Sequence, residues 1–172
     1  MGWMFRRQPS LILIGTHHKA GTHWLAGIFR AIAEKHFLGL YEGPQLADLS
    51  RYDLFFQDHS DFTLNTLKNY RGLHMVRDPR DIIVSGCFYH QRAEESWMHI
   101  PRKRYEGLSY VQRINSFDTV QEQLLFEMEH IGLLTLRDMY SWNYRNKHFL
   151  EVQYENLIDD RELTEFRKVF TF

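Results

Sequence analysis

Residues 11–25 read LILIGTHHKAGTHWL, and this stretch decides the fold. Leu11-Ile12-Leu13-Ile14 is an unbroken apolar run, too short for an amphipathic helix, and it predicts a fully buried strand. From Thr22 to Phe37 the apolar residues Trp24, Leu25, Ile28, Phe29 and Ile32 fall on one helical face, with Arg30, Glu34 and Lys35 elsewhere. A loop bounded by Gly15 and Gly21 joins the two. At the start of a helix, backbone N–H groups from Ala20 to His23 point outward and the helix dipole adds partial positive charge. Gly21 lets an anion approach that backbone closely. The loop is therefore read as an anion site opening an α/β fold.

Lys19 stands two residues before Gly21, whereas the nucleotide P-loop lysine directly follows the second glycine. No Lys-Ser/Thr pair closes the loop. A nucleoside triphosphatase would want Mg²⁺ on such a hydroxyl and on an acid ending a strand. Asp78 could pass for that acid, but it precedes Pro79 at a helix start, where capping accounts for it. The loop chemistry favours anion binding without magnesium.

Outward from the loop, Gly39 to Arg51 reads as a connection punctuated by Gly43-Pro44. Asp53–Gln57 and Gly72–Val76 are short strand candidates, and a helix is expected from Pro79 to Gln91 with Asp78 as its cap. Residues 93–117 carry weak periodicity and many charges, and are expected to be a long, partly mobile excursion. Two helices follow at 117–129 and 133–145, then a fourth strand at 148–152 and a last helix at 160–169. Alternating strands and helices imply right-handed crossovers and a parallel sheet flanked by helices, a three-layer architecture like that of the P-loop NTPases. Ligands in such sheets bind beyond the carboxyl ends of the strands. That rule puts the loop, Asp58-His59 and Arg77 on one rim.

Composition narrows the function classes. The 172 residues are 44% apolar and 25% charged, with a formal net charge of −1. One domain spanning 1–172 is expected, with no general field for holding nucleic acid. Cys87 is the single cysteine, so no internal disulfide can form. With no signal-peptide pattern and no apolar run of membrane-spanning length, the expected location is cytoplasmic.

Arg77 at a strand's carboxyl end and Ser85 two turns into the next helix could grip a second phosphate, separate from the one at the loop. With the loop, these residues resemble the PAPS-dependent sulfotransferases. HHKAGTHWL, residues 17–25, is similar to that family's 5′-phosphosulfate loop, and MVRDPRDIIVSGCFYH, residues 75–90, to its 3′-phosphate motif. FLEVQYENLIDD, residues 149–160, resembles the later strand with its Tyr-Glu-x-Leu segment. The three segments occur in family order and span essentially the whole chain.

The resemblance implies sulfuryl transfer from 3′-phosphoadenosine 5′-phosphosulfate (PAPS) to a hydroxyl or amine of a small molecule or saccharide, with no metal. It implies that Lys19 stabilises the leaving phosphate oxygen. Backbone at Ala20, Gly21, Thr22 and His23, with the Thr22 hydroxyl, would hold the 5′-phosphate. Trp24 would stack on adenine with Tyr154 nearby, and Arg77 and Ser85 would hold the 3′-phosphate. His59 matches the histidine that serves many members as general base, and Asp58 or Glu42 are carboxylate alternatives. Two positions depart from the family: Ala20 replaces a serine and His23 a threonine. The family also continues past this chain's FRKVFTF to a basic glycine-containing loop. Its part would fall to further sequence, to Arg6 or Arg7, or to Arg102-Lys103-Arg104.

His17, His18 and His23 invite a metal, but adjacent histidines on a loop cannot readily face one ion, and no carboxylate stands at ligand spacing beside them. Two rival readings are a small P-loop kinase, which would need Mg²⁺, and a sulfotransferase-like nucleotide-binding protein without catalysis.

Overall fold

The structure, a computed structural model, describes residues 11–172. Arg6 and Arg7 lie outside the described residues. The described residues divide into two compact units, residues 11–76 with 143–172, and residues 77–142.

The first unit is built on a five-stranded sheet. Its strands are β1 (Leu11–Gly15), β2 (Leu40–Glu42), β3 (Leu54–Gln57), β4 (Tyr70–Val76) and β5 (Phe149–Gln153), in the order β2-β3-β1-β4-β5. Every pairing is parallel, with Ile14 opposite Phe56 on one side and Leu73 on the other. The parallel α/β architecture matches the sequence reading. Leu13 and Ile14 are fully buried, as expected of an inner strand covered on both faces.

Helix α1 (Thr22–His36) buries Leu25, Ala26, Phe29 and Ala33 against Ile14, Leu54, Phe56, Leu73, Met75 and Val152. It ends where Phe37 adopts a left-handed conformation and its N–H reaches back to Glu34. Two further helices, α6 (Tyr154–Ile158) and α7 (Thr164–Thr171), follow β5, and Phe166 and Val169 pack on the same core. The last helix starts later than expected. Asp160 accepts the N–H groups of Thr164 and Phe166, so it anchors the helix from outside rather than beginning it.

Strand β2 corrects the reading of 39–51 as connection only. Three residues are too few to show a period, and β2 exists because β3 offers it an edge.

The second unit is helical: α2 (Pro79–His90), α3 (Tyr110–Asn115), α4 (Val120–Glu129) and α5 (Ile131–Ser141). Asp78 caps α2 by accepting the Arg80 N–H, with Pro79 at the first helical position, as read from sequence. Its carboxyl is held down to about 2, first by the Arg80 side-chain hydrogen bond and then by the backbone bond. Helices α3 and α4 each open on a full capping box, Ser109 with Gln112 and Thr119 with Glu122.

Residues 93–117 are not a mobile excursion. They carry two short 3₁₀ turns and α3, and they bury Ala93, Met98, Tyr105, Tyr110 and Ile114 around Cys87 and Phe126. Aromatic packing supplies here what periodicity did not reveal: Tyr110 and Phe126 lie 4.9 Å apart between ring centroids. At the centre Glu127, 1% exposed, accepts hydrogen bonds at 2.8 Å from the His90 ring and the Tyr110 hydroxyl. Burial and that carboxylate push the Tyr110 hydroxyl far up. Gly86 makes room, since a Cβ there would stand 2.6 Å from a Glu127 oxygen.

Candidate functional site

The β1–α1 turn is held from inside. The His17 carbonyl accepts the Ala20 N–H at 2.9 Å and the Thr22 hydroxyl at 3.1 Å. The Thr16 carbonyl accepts the Ser60 hydroxyl at 2.8 Å, tying the turn to the loop after β3. Closing the turn places Lys19 at φ 62° and Gly21 at φ 93°. Left-handed residues on either side of Ala20 give the backbone alternation found in anion nests.

Gly21 is the N-cap of α1, and no side chain caps the helix, so its first turn keeps its N–H groups for another partner. The expected phosphate donors thus separate. Ala20 spends its N–H on the turn, and the Thr22 hydroxyl faces inward to Thr16 and His17. The backbone of Thr22, His23 and Trp24 forms the uncapped first turn.

Gly21 is required twice over. A Cβ there would meet the Tyr154 ring at 2.5 Å, and its φ disfavours any side chain. Tyr154 meets Trp24 edge to face at 5.8 Å, and Trp24 tilts against Phe166 at 6.1 Å. The two residues expected beside adenine are therefore in contact, half-buried, flanking the loop.

His59 is exposed after β3, the parallel neighbour of β1, with its N–H bonded to the Gln57 side chain at 2.6 Å. Gln57 also accepts from Asp61, so the turn carrying His59 is fixed at its base. Asp58 is exposed beside it. Glu42 is engaged elsewhere, in a two-pronged pair with Arg30 at 2.5 and 2.6 Å.

Arg77 and Ser85 belong to the second unit. Arg77 pairs with Asp81 at 3.9 Å, and Ser85 is half-buried on α2. Arg102, Lys103 and Arg104 stand around the second 3₁₀ turn, where the Arg104 guanidinium lies 4.8 Å over the Tyr105 ring.

The three loop histidines diverge. His23 is exposed, His18 half-buried, and His17 is 1% exposed. His17 bonds through Nε2 to His74 Nε2 at 2.8 Å, and His74 Nδ1 meets Glu151 at 2.5 Å. Burial first, then the positive charge that His74 and His59 can carry, lowers the His17 pKa to about 3. Sequence reading missed His74 and Glu151. Among the described residues no group of three His, Cys, Asp or Glu side chains is arranged to hold a metal ion.

A solved structure shares this fold. Mouse sulfotransferase SULT7A1 complexed with PAP aligns with a TM-score of 0.58 at 17% identity, over 97% of this chain. The present chain spans 60% of that structure's length. No family model and no curated protein sequence matches the chain. At this identity the likeness establishes the α/β fold. Among the described residues no helix is long and apolar enough to cross a membrane.

Proposed function

We propose that the chain is a PAPS-dependent sulfotransferase, residues 1–172 acting as one such domain in the cytoplasm on a small-molecule or saccharide acceptor. The observation that carries this reading is the uncapped start of α1 beside a left-handed Lys19, with Trp24 and Tyr154 in contact at the same turn. The fold shared with a sulfotransferase complexed with PAP supports it. The donor supplies a sulfuryl group on a phosphate leaving group. It fits this loop because Gly21 leaves the backbone bare and the first helical turn has N–H groups to give.

In this reading the first turn of α1 binds the 5′-phosphate, and the Lys19 ammonium meets the charge that develops on the leaving oxygen. Thr22 contributes its backbone, and its hydroxyl when that turns from the His17 carbonyl. Trp24 and Tyr154 take the adenine face. Arg77 and Ser85 hold the 3′-phosphate, and His59 accepts the acceptor's proton near neutral pH.

Calorimetry with adenosine 3′,5′-bisphosphate and AMP tests the reading. A 3′-phosphate on Arg77 adds charge-assisted bonds worth about 1.5–3 kcal/mol, so the bisphosphate should bind at least tenfold tighter. Equal affinities remove Arg77 from the site, and binding lost in EDTA supports the kinase instead. Mass spectrometry of PAPS reactions with phenols, sugars and steroids then separates an enzyme from a nucleotide-binding protein.

A further inference from the structure

Beneath the loop runs a line of titratable side chains that sulfuryl transfer does not call upon. Glu151 on β5 bonds to His74 on β4 at 2.5 Å, and His74 bonds to His17 at 2.8 Å. The histidine rings are 0% and 1% exposed, while the Glu151 side chain is 30% exposed.

These contacts set the tautomers. With Glu151 ionised, His74 donates from Nδ1, so the Nε2 of a neutral His74 is an acceptor. His17 must then donate from Nε2, which leaves its Nδ1 without a proton. That Nδ1 is buried and has no hydrogen-bond partner among the described residues. An unfilled acceptor of this kind is costly to bury. It belongs to the residue whose carbonyl closes the Lys19 turn.

We propose that Glu151, His74 and His17 form a proton relay that loads one proton when an oxyanion occupies the Lys19 loop. A proton from solvent adds to Nδ1 of His17, and the proton on His17 Nε2 passes to His74 Nε2. One N–H bond forms on each ring and one breaks on His17. Positive charge ends on His74 against the Glu151 carboxylate, and His17 is neutral before and after. An anion nearby raises the proton affinity of the line, and loading turns the orphan lone pair into an N–H donor. His59 and His74 face His17, with His18 and Lys19 following it in the loop. Tyr144 packs edge-on to His74 at 5.9 Å, its hydroxyl pushed up by burial and then by Glu151, so it stays neutral. Glu151 is the counter-ion of the line.

The proposal rests on the loop being an oxyanion site, not on which nucleotide it takes. Sulfate is the probe, because it carries no titratable proton near neutral pH. Imidazole ¹⁵N spectra of the full chain should show His17 as the Nε2–H form and His74 as the Nδ1–H form. Saturating sulfate should convert His17 to the Nδ1–H form and His74 to imidazolium. Calorimetry in buffers of different ionisation enthalpy should show net proton uptake with sulfate.

Glu151→Gln still accepts from His74 but cannot neutralise it. The variant should bind sulfate with an unchanged melting temperature and lose the uptake. Uptake that persists in Glu151→Gln belongs to His18, His23 or His59 and overturns the relay, as do ring tautomers that ignore saturating sulfate. Equal binding of AMP and the bisphosphate would overturn the nucleotide assignment and leave the relay standing.

Discussion

Gly21→Ala is the sharpest probe of the loop. Its φ and ψ of 93° and 22° lie outside the region an L-residue adopts without strain, which costs on the order of 1–3 kcal/mol. The new methyl would also stand 2.5 Å from the Tyr154 ring. That ring cannot simply swing aside, because Trp24 abuts it at 5.8 Å, and overpacking of this kind costs about 1–3 kcal/mol. The lower entropy of the unfolded alanine chain adds to the native side's disadvantage not at all and returns roughly 0.4–1 kcal/mol. The net loss expected is about 1–5.5 kcal/mol, much of a domain's usual margin at its upper end. Urea unfolding followed by circular dichroism reads it directly. Tyr154→Ala removes the obstacle but not the backbone strain, so the double variant should lose about 1–3 kcal/mol less than the sum of the singles. A loss under about 1 kcal/mol, or strict additivity, would refute the account of why glycine stands there.

Lys19→Met should lower sulfuryl-transfer turnover by about 10²-fold or more while weakening bisphosphate binding less; near-normal turnover would make the lysine structural. His59→Ala should cost about 10²–10⁴-fold in rate with bisphosphate affinity and melting temperature kept, and loss of all three together would mean a turn residue rather than a base. Glu127→Ala strips the acceptor from His90 and Tyr110 inside the second unit and should destabilise it by about 3–5 kcal/mol in urea unfolding, with Glu127→Gln milder. His17 has its folded pKa lowered to about 3 from 6.5, so below 6.5 the unfolded chain takes a proton that the folded His17 refuses. Its contribution therefore reduces stability as pH falls from 6.5 toward 3, and His17→Gln should flatten that part of the stability–pH curve.

What the sequence determined by itself was local. β1, the Lys19 loop and α1 were legible because each needs only its own residues: an apolar run, a glycine at a left-handed position, and one apolar helical face. The Asp78 cap and Pro79 were legible for the same reason. Glu127 beside His90 and Tyr110 was not, nor was the packed core within 93–117, because aromatic contacts across helices leave no period along the chain. β2 is three residues long and owes its existence to the edge of β3. For the loop histidines, sequence left open which way each one turns. Only the fold decided that His17 turns inward, because its partner lies 57 residues away on β4 and that partner's carboxylate another 77 along on β5. Parallel register, which sets His74 opposite Glu151, brings those side chains together, and no spacing within a single segment encodes it.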